Sequence, residues 1–186
     1  MLCLCLRRVA ALRAAVRMQH SQGWDGFGKG PFKYYNKFDE FMSVFPEEDR
    51  STYPEMFSLP AGVREVSLPK PLGVAFEECE PGRGVQVQYL VEGGNAETSG
   101  LIQPGDKLIA VTALKVFGPR WERKMLPCYY LPFDTIMAAI ASNEPRYKAL
   151  DVVMMFERPS ESEGLKKTKE FLEFFEIPYD HVFRTG

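Results

Sequence analysis

Residues 63–158 are a series of short segments rich in β-branched and aromatic side chains, each closed off by Gly, Pro or polar residues. The segments are Val63–Leu68, Gly73–Glu78, Val85–Val91, Lys107–Val111, Leu114–Phe117 and Leu150–Phe156. A chain interrupted this often cannot sustain long helices, whereas it can lay strands side by side. Pro81-Gly82-Arg83-Gly84 marks a turn between two of them. One stretch breaks the pattern: in Phe133–Ser142, Phe133, Ile136, Met137 and Ile140 recur at helical spacing. A shorter helix is expected over Asn95–Ser99. Strands with two helices inserted late predict a mainly-β fold with α, a small partly open β-barrel or sandwich capped by two helices.

The flanks read differently. Residues 19–60 form an aromatic, Gly- and Pro-rich extension, starting with the irregular run Gly23–Pro31. Within it Tyr34, Phe38, Phe41 and Phe45 share one helical face, and Pro46 is expected to end the helix. Pro46, Pro54, Pro60 and Gly62 make residues 46–62 a loop-rich connection. Residues 160–177 form a second helical flank, with Ser160 and Glu163 as a capping box and Pro178 as the stop. Leu165, Thr168, Leu172 and Phe175 lie on one face, with Phe171 and Phe174 beside it. The division is therefore 1–18, 19–60, 61–159 and 160–186.

Residues 1–18 carry Arg7, Arg8, Arg13 and Arg17 with no acid, and Leu6, Val9, Leu12 and Val16 recur at helical spacing. That is the composition of an organelle transit peptide, the alternative being an ordinary amphipathic helix. Scarcity of Ser favours a mitochondrial address, while the Ala-Ala-Val-Arg-Met ending resembles algal plastid leaders. Without these four arginines, 19 basic residues face 25 acidic ones, about −6. A surface of that sign is a poor nucleic-acid binder.

Catalytic chemistry has little to stand on. The two histidines, His20 and His181, lie outside residues 61–159, so no Ser/His/Asp or Cys/His centre is expected there. Cys79 and Cys128 are too few for a zinc site. Glu77, Glu78, Cys79 and Glu80 alternate between strand faces and cannot converge on a metal. Gly26-x-Gly28-x-Gly30 follows no strand and is not read as a phosphate loop. No catalytic residue, metal or cofactor is predicted. Lys29, Lys33 and Lys37 interleave with aromatics, but Asp39, Glu40, Glu47 and Glu48 follow at once, so packing of the aromatic stripe on the domain or on a partner is expected.

Four motifs occur in an ordered set. Pro71-Leu72-Gly73-Val74-Ala75-Phe76 resembles the Gly-Leu-Gly-Phe loop of PDZ domains. Glu92–Leu101 resembles that family's strand-to-short-helix segment, and Ile102–Val111, containing Pro104-Gly105-Asp106, resembles its following strand. Helix Phe133–Ala141 falls where the groove-lining helix belongs. The resemblance covers about half the chain, and within the family it is nearest to plastid PDZ proteins of plants and algae. It implies a non-enzymatic adaptor that binds the C-terminal or internal strand of a protein or peptide partner. Its peptide-binding residues would be Leu72, Gly73, Val74, Ala75 and Phe76 on one side and Phe133, Met137 and Ile140 on the other. Gly73 would let backbone amides converge on a carboxylate. Phe133 stands where many family members carry His, so an apolar ligand residue is expected two positions before the end. Trp121, Tyr129 and Tyr130, with Arg120, Arg123 and Lys124, form either an added contact surface or a lid on the barrel's end. The resemblance also implies a plastid location, with the mitochondrion as alternative, and peripheral association with a thylakoid or other membrane complex. The competing function is a structural subunit that uses the fold as a scaffold and leaves the groove closed.

Overall fold

The structure, a computed structural model, describes residues 33–173 and Phe175. Helices α1 (Phe38–Met42) and α2 (Glu47–Thr52) precede strands β1 (Val63–Leu68), β2 (Val74–Glu80) and β3 (Arg83–Leu90). Helix α3 (Asn95–Ser99), β4 (Lys107–Phe117), β5 (Arg120–Pro127), α4 (Phe133–Ser142), β6 (Val152–Glu157) and α5 (Leu165–Leu172) follow. The transit-peptide segment, the glycine run 26–30, both histidines, Phe174 and Pro178 lie outside the described residues.

The strands form one antiparallel sheet in the order β1-β6-β4-β3-β2, with β5 also paired to β4. Because β6 occupies one edge of β4, β3 and β5 must share the other. Accordingly β3 pairs with Lys107 and Leu108, and β5 takes over from Ala110 to Phe117. The sheet does not close, which matches the expected partly open, mainly-β fold with helical flanks.

Each face of the sheet carries its own core. On one face Val66, Val85, Val87, Leu108, Val111, Val152, Met154 and Phe156 pack against Ile136, Ala139 and Ile140 of α4. On the other, Val63, Ile109, Met125, Val153 and Met155 pack against Tyr35, Phe38, Phe41, Met42, Phe171 and Leu172. Strand β6 feeds both layers in turn, and all six of its residues are buried. The aromatic flanks thus cover the back of the sheet. Phe171 lies 5.6 Å from both Phe38 and Phe175 between ring centroids, which joins the two flanks to each other.

Polar ties fix this layer. Buried Arg123 donates to Asp151 Oδ1 at 2.8 Å, the Asp151 carbonyl at 2.7 Å and Asn143 Oδ1 at 3.1 Å. Its backbone pairs with the N-terminal flank: the Tyr35 amide donates to the Arg123 carbonyl and the Arg123 amide to the Lys33 carbonyl, both at 2.9 Å. The Tyr35 hydroxyl donates to Glu65 Oε2 at 2.5 Å, and the Phe38 amide to Glu65 Oε1 at 3.0 Å. Burial raises the Glu65 carboxyl above its ordinary range despite both donors. At the other flank, buried Glu157 accepts from the hydroxyls of Ser162 and Thr168.

Several expectations need correction. Residues 118–127, to which the sequence assigns no strand, carry one: Gly118-Pro119 is a two-residue turn, with Gly118 at φ +57°, and Arg120–Pro127 returns as a full strand. The two short strands expected at 107–117 are one. Arg123 and Lys124 do not form an exposed basic surface, since Arg123 is buried and Lys124 pairs with Glu122 at 3.4 Å. Pro46 does not close the aromatic helix, which stops at Met42; it caps the start of α2, a position where a missing amide is harmless. No capping box forms at Ser160 and Glu163. The amides of Glu161 and Ser162 instead donate to the Arg158 carbonyl, so the chain turns there and α5 starts after Gly164. Leu165, placed on the packing face from periodicity, is 41% exposed.

If the flanks belong to the core, Phe171→Ala should lower unfolding stability by about 3 kcal/mol. Urea denaturation measures this, and an unchanged midpoint would rule out docking of α5 on the sheet.

Candidate peptide-binding groove

Among the described residues strand β2 ends the sheet, with β3 as its one strand neighbour. The chain enters it through the loop Pro69–Gly73, which the start of α3 holds in place. The Asn95 side-chain amide donates to the Pro69 carbonyl at 3.1 Å and the Pro71 carbonyl at 2.8 Å. The Ala96 amide donates to the Leu72 carbonyl, and the Val91 amide to the Gly73 carbonyl, both at 2.9 Å. With these carbonyls turned into the protein, the amides of Leu72 and Gly73 donate to no described backbone acceptor. Antiparallel pairing alternates, so engagement of Gly73 with Val91 turns the polar groups of Val74 toward the open edge.

Gly73 has φ +75°, where an L side chain is strained, and a Cβ there would lie 3.0 Å from Gly94 Cα. Gly94 answers it, since its own Cβ would sit 3.1 Å from Gly73 Cα and 2.8 Å from the Val91 carbonyl oxygen. Two glycines back to back let two backbone segments touch. The importance of Gly73 was legible in the sequence; that of Gly94 and Asn95 was not, although both stand in the Glu92–Leu101 motif.

Of the predicted residues, Leu72, Val74 and Phe76 from the loop and β2, and Phe133 and Met137 from α4, are all partly buried against the same hydrophobic cluster. Ile140 belongs to that cluster and is only 9% exposed, so it supports the wall from behind. Gly73 and Ala75 are half-buried on the strand edge. Phe76 stacks on Phe156 with ring centroids 6.4 Å apart, anchoring the edge strand to the core.

Lys70 went unnamed at the sequence level, its only signal being a cation beside the loop. Its ammonium donates to the Ala141 carbonyl at 2.9 Å, in the last turn of α4, where carbonyls lack helical partners. This contact ties the end of α4 to the loop and anchors a positive charge two residues before Leu72. Partial burial lowers the Lys70 pKa, opposed by Glu144.

Burial pushes the Cys128 thiol upward, with Cys79 adding to the effect, which disfavours the reactive thiolate. Among the described residues no three His, Cys, Asp or Glu side chains gather in a way that could hold a metal ion. No helix there is long and apolar enough to cross a membrane.

The chain matches no family model and no curated protein. Among solved structures it is similar to a PDZ domain from choanoflagellate SHANK1 bound to a GIRK3 peptide. The identity is 16%, over 54% of this chain and 96% of that one, with a TM-score of 0.36.

Replacing Gly73 with Ala should cost more than about 1 kcal/mol, because a left-handed backbone is imposed on a residue with a Cβ. Asn95→Ala should cost about 1 kcal/mol through loss of its two loop contacts. Thermal or urea unfolding reads both, and a fully stable Gly73→Ala protein would contradict the loop conformation.

Proposed function

We propose that this chain is a non-enzymatic interaction module that adds a partner's C-terminal strand to the open edge of β2. The observation that carries the proposal is that edge: apolar side chains border it on two elements, and no described segment of the chain pairs with it. A peptide laid antiparallel on β2 satisfies the unused polar groups of the strand. Its terminal carboxylate meets the amides of Leu72, Gly73 and Val74, with the Lys70 ammonium nearby. Its last side chain rests between Leu72 and Val74 on one side and Met137 on the other. Phe133 then favours an apolar residue two positions earlier. The scaffold alternative, with a closed groove, is disfavoured because the described parts of the aromatic flanks pack on the back of the sheet and no described strand covers the β2 edge.

The address belongs to the same proposal. The Arg-rich, acid-free residues 1–18 support an organelle, the plastid being favoured by motif resemblance and the mitochondrion the alternative. Partners in assembly of a membrane complex there would suit an adaptor. Fused ahead of a fluorescent protein, residues 1–18 should direct it to one of the two organelles; a diffuse signal would remove the assignment.

Binding is tested by fluorescence anisotropy on the full chain, with short peptides ending in Val, Leu, Ile or Phe. Free-acid peptides should bind about tenfold or more tightly than their C-terminal amides, since charge-assisted hydrogen bonds are lost in the amide. Lys70→Gln should weaken free-acid binding by about two- to fivefold. Met137→Asp should abolish it with the fold retained by circular dichroism. Failure of every free-acid peptide to bind the folded chain would overturn the proposal.

A further inference from the structure

Antiparallel addition fixes which ligand residue meets which residue of β2. With the terminal carboxylate on the Leu72–Val74 amides, the last ligand residue lies opposite Val74. Each step back along the ligand then moves one residue forward along β2. The second residue back lies opposite Phe76, and the fourth lies opposite Glu78. Directly opposed residues share a face, and Val74, Phe76 and Glu78 lie on the same face of their strand. That face is the one turned toward α4: Phe76 and Glu78 sit opposite Val87 and Val85, which are both buried beneath that helix.

Glu78 therefore continues the apolar row of the groove as an exposed carboxylate. The first turn of α4 adds Asp134, also exposed, next to Phe133. The Lys70 contact with Ala141 puts the far end of α4 at the carboxylate loop, so Asp134 belongs to the same remote end as Glu78. Neither acid has a hydrogen bond or ion pair among the described residues. Two cations stand near this end without pairing with either acid: Arg83 sits opposite Glu80 with its guanidinium 5.7 Å from the Tyr130 ring centroid, and Lys107 lies two strands away on β4. Glu77 is already held by the Gln86 side chain at 2.8 Å. The groove thus has a positive end at Lys70 and a negative end at Glu78 and Asp134, separated by an apolar middle.

Resting on the groove reading above, we infer that the preferred ligand is a C-terminal peptide with an apolar end and a Lys or Arg four residues before its last residue, recognised by Glu78 with Asp134. The polarity matches such a peptide, whose carboxylate and basic side chain are its two charges.

The test uses octapeptides of the form Ala-Ala-Ala-X-Ala-Val-Ala-Val with a free carboxylate, X being Lys, Gln or Glu, titrated into the full chain. The Lys peptide should bind about three- to tenfold more tightly than the Glu peptide, with Gln between, as expected for exposed ion pairs. The spread should shrink as salt rises from about 50 to about 500 mM. In Glu78→Gln the spread should narrow to less than about twofold while the Gln peptide binds as before. Equal binding of all three peptides to the wild-type chain would overturn this inference and leave the groove standing. Discrimination that persists unchanged in both Glu78→Gln and Asp134→Asn would overturn the assignment of these residues. Binding of none of the three, when other free-acid peptides bind, would overturn this inference; binding of no free-acid peptide at all would overturn the groove reading with it.

Discussion

Strands β4 and β6 are apolar on both faces, and that constraint organises everything else. A sheet with one such face can leave the other to water; a sheet with two must be covered twice. Helix α4 covers one face, and the aromatic flanks, from distant parts of the chain, meet to cover the other. Burial at about 25 cal/mol per Å² of apolar surface makes each Phe in this back layer a substantial contributor. Because the flanks are spent on the back of β4 and β6, the edge strand β2 is left with α4 as its neighbour on the open side.

Arg123 extends the same logic into polar chemistry. Its side chain joins β5 to the α4–β6 connection through Asn143 and Asp151, while its backbone grips the N-terminal flank at Lys33 and Tyr35. A buried guanidinium is tolerable only when its donors are matched, and here acceptors come from side chains and from the backbone carbonyl of Asp151. Glu65 does the corresponding work on β1, though at a visible cost to its ionised form. The back layer is therefore registered on the sheet by directional contacts as well as by apolar area, and a greasy surface alone would not select one docking.

The sequence carried the front of the molecule better than its back. Val63–Leu68, Asn95–Ser99 and Phe133–Ser142 were readable to the residue because breakers and periodicity agree there. The loop at Gly73 was readable because its backbone conformation restricts the residue type. Strand β5 was not: Trp121, Arg123 and Met125 alternate with polar residues, and a buried arginine inverts the usual inside-outside signal. The capping box at Ser160 failed because Arg158 offered its carbonyl to the following amides and tightened the chain into a turn. At the candidate site, the apolar residues that pack on one cluster could be listed from sequence, whereas Lys70, Asn95 and Gly94 act through neighbours that only the fold brings close.

The rings of Tyr35 and Phe175 lie 5.8 Å apart between centroids, so the two ends of the described chain meet at one spot behind the sheet. Tyr35 and Phe175 both belong to the layer opposite the one that α4 covers, while the groove faces the α4 side. Each of these two residues thus offers a point of attachment on the side of the sheet away from α4. In engineering terms the described fold behaves as a socket whose terminals, at Tyr35 and Phe175, lie at the rear.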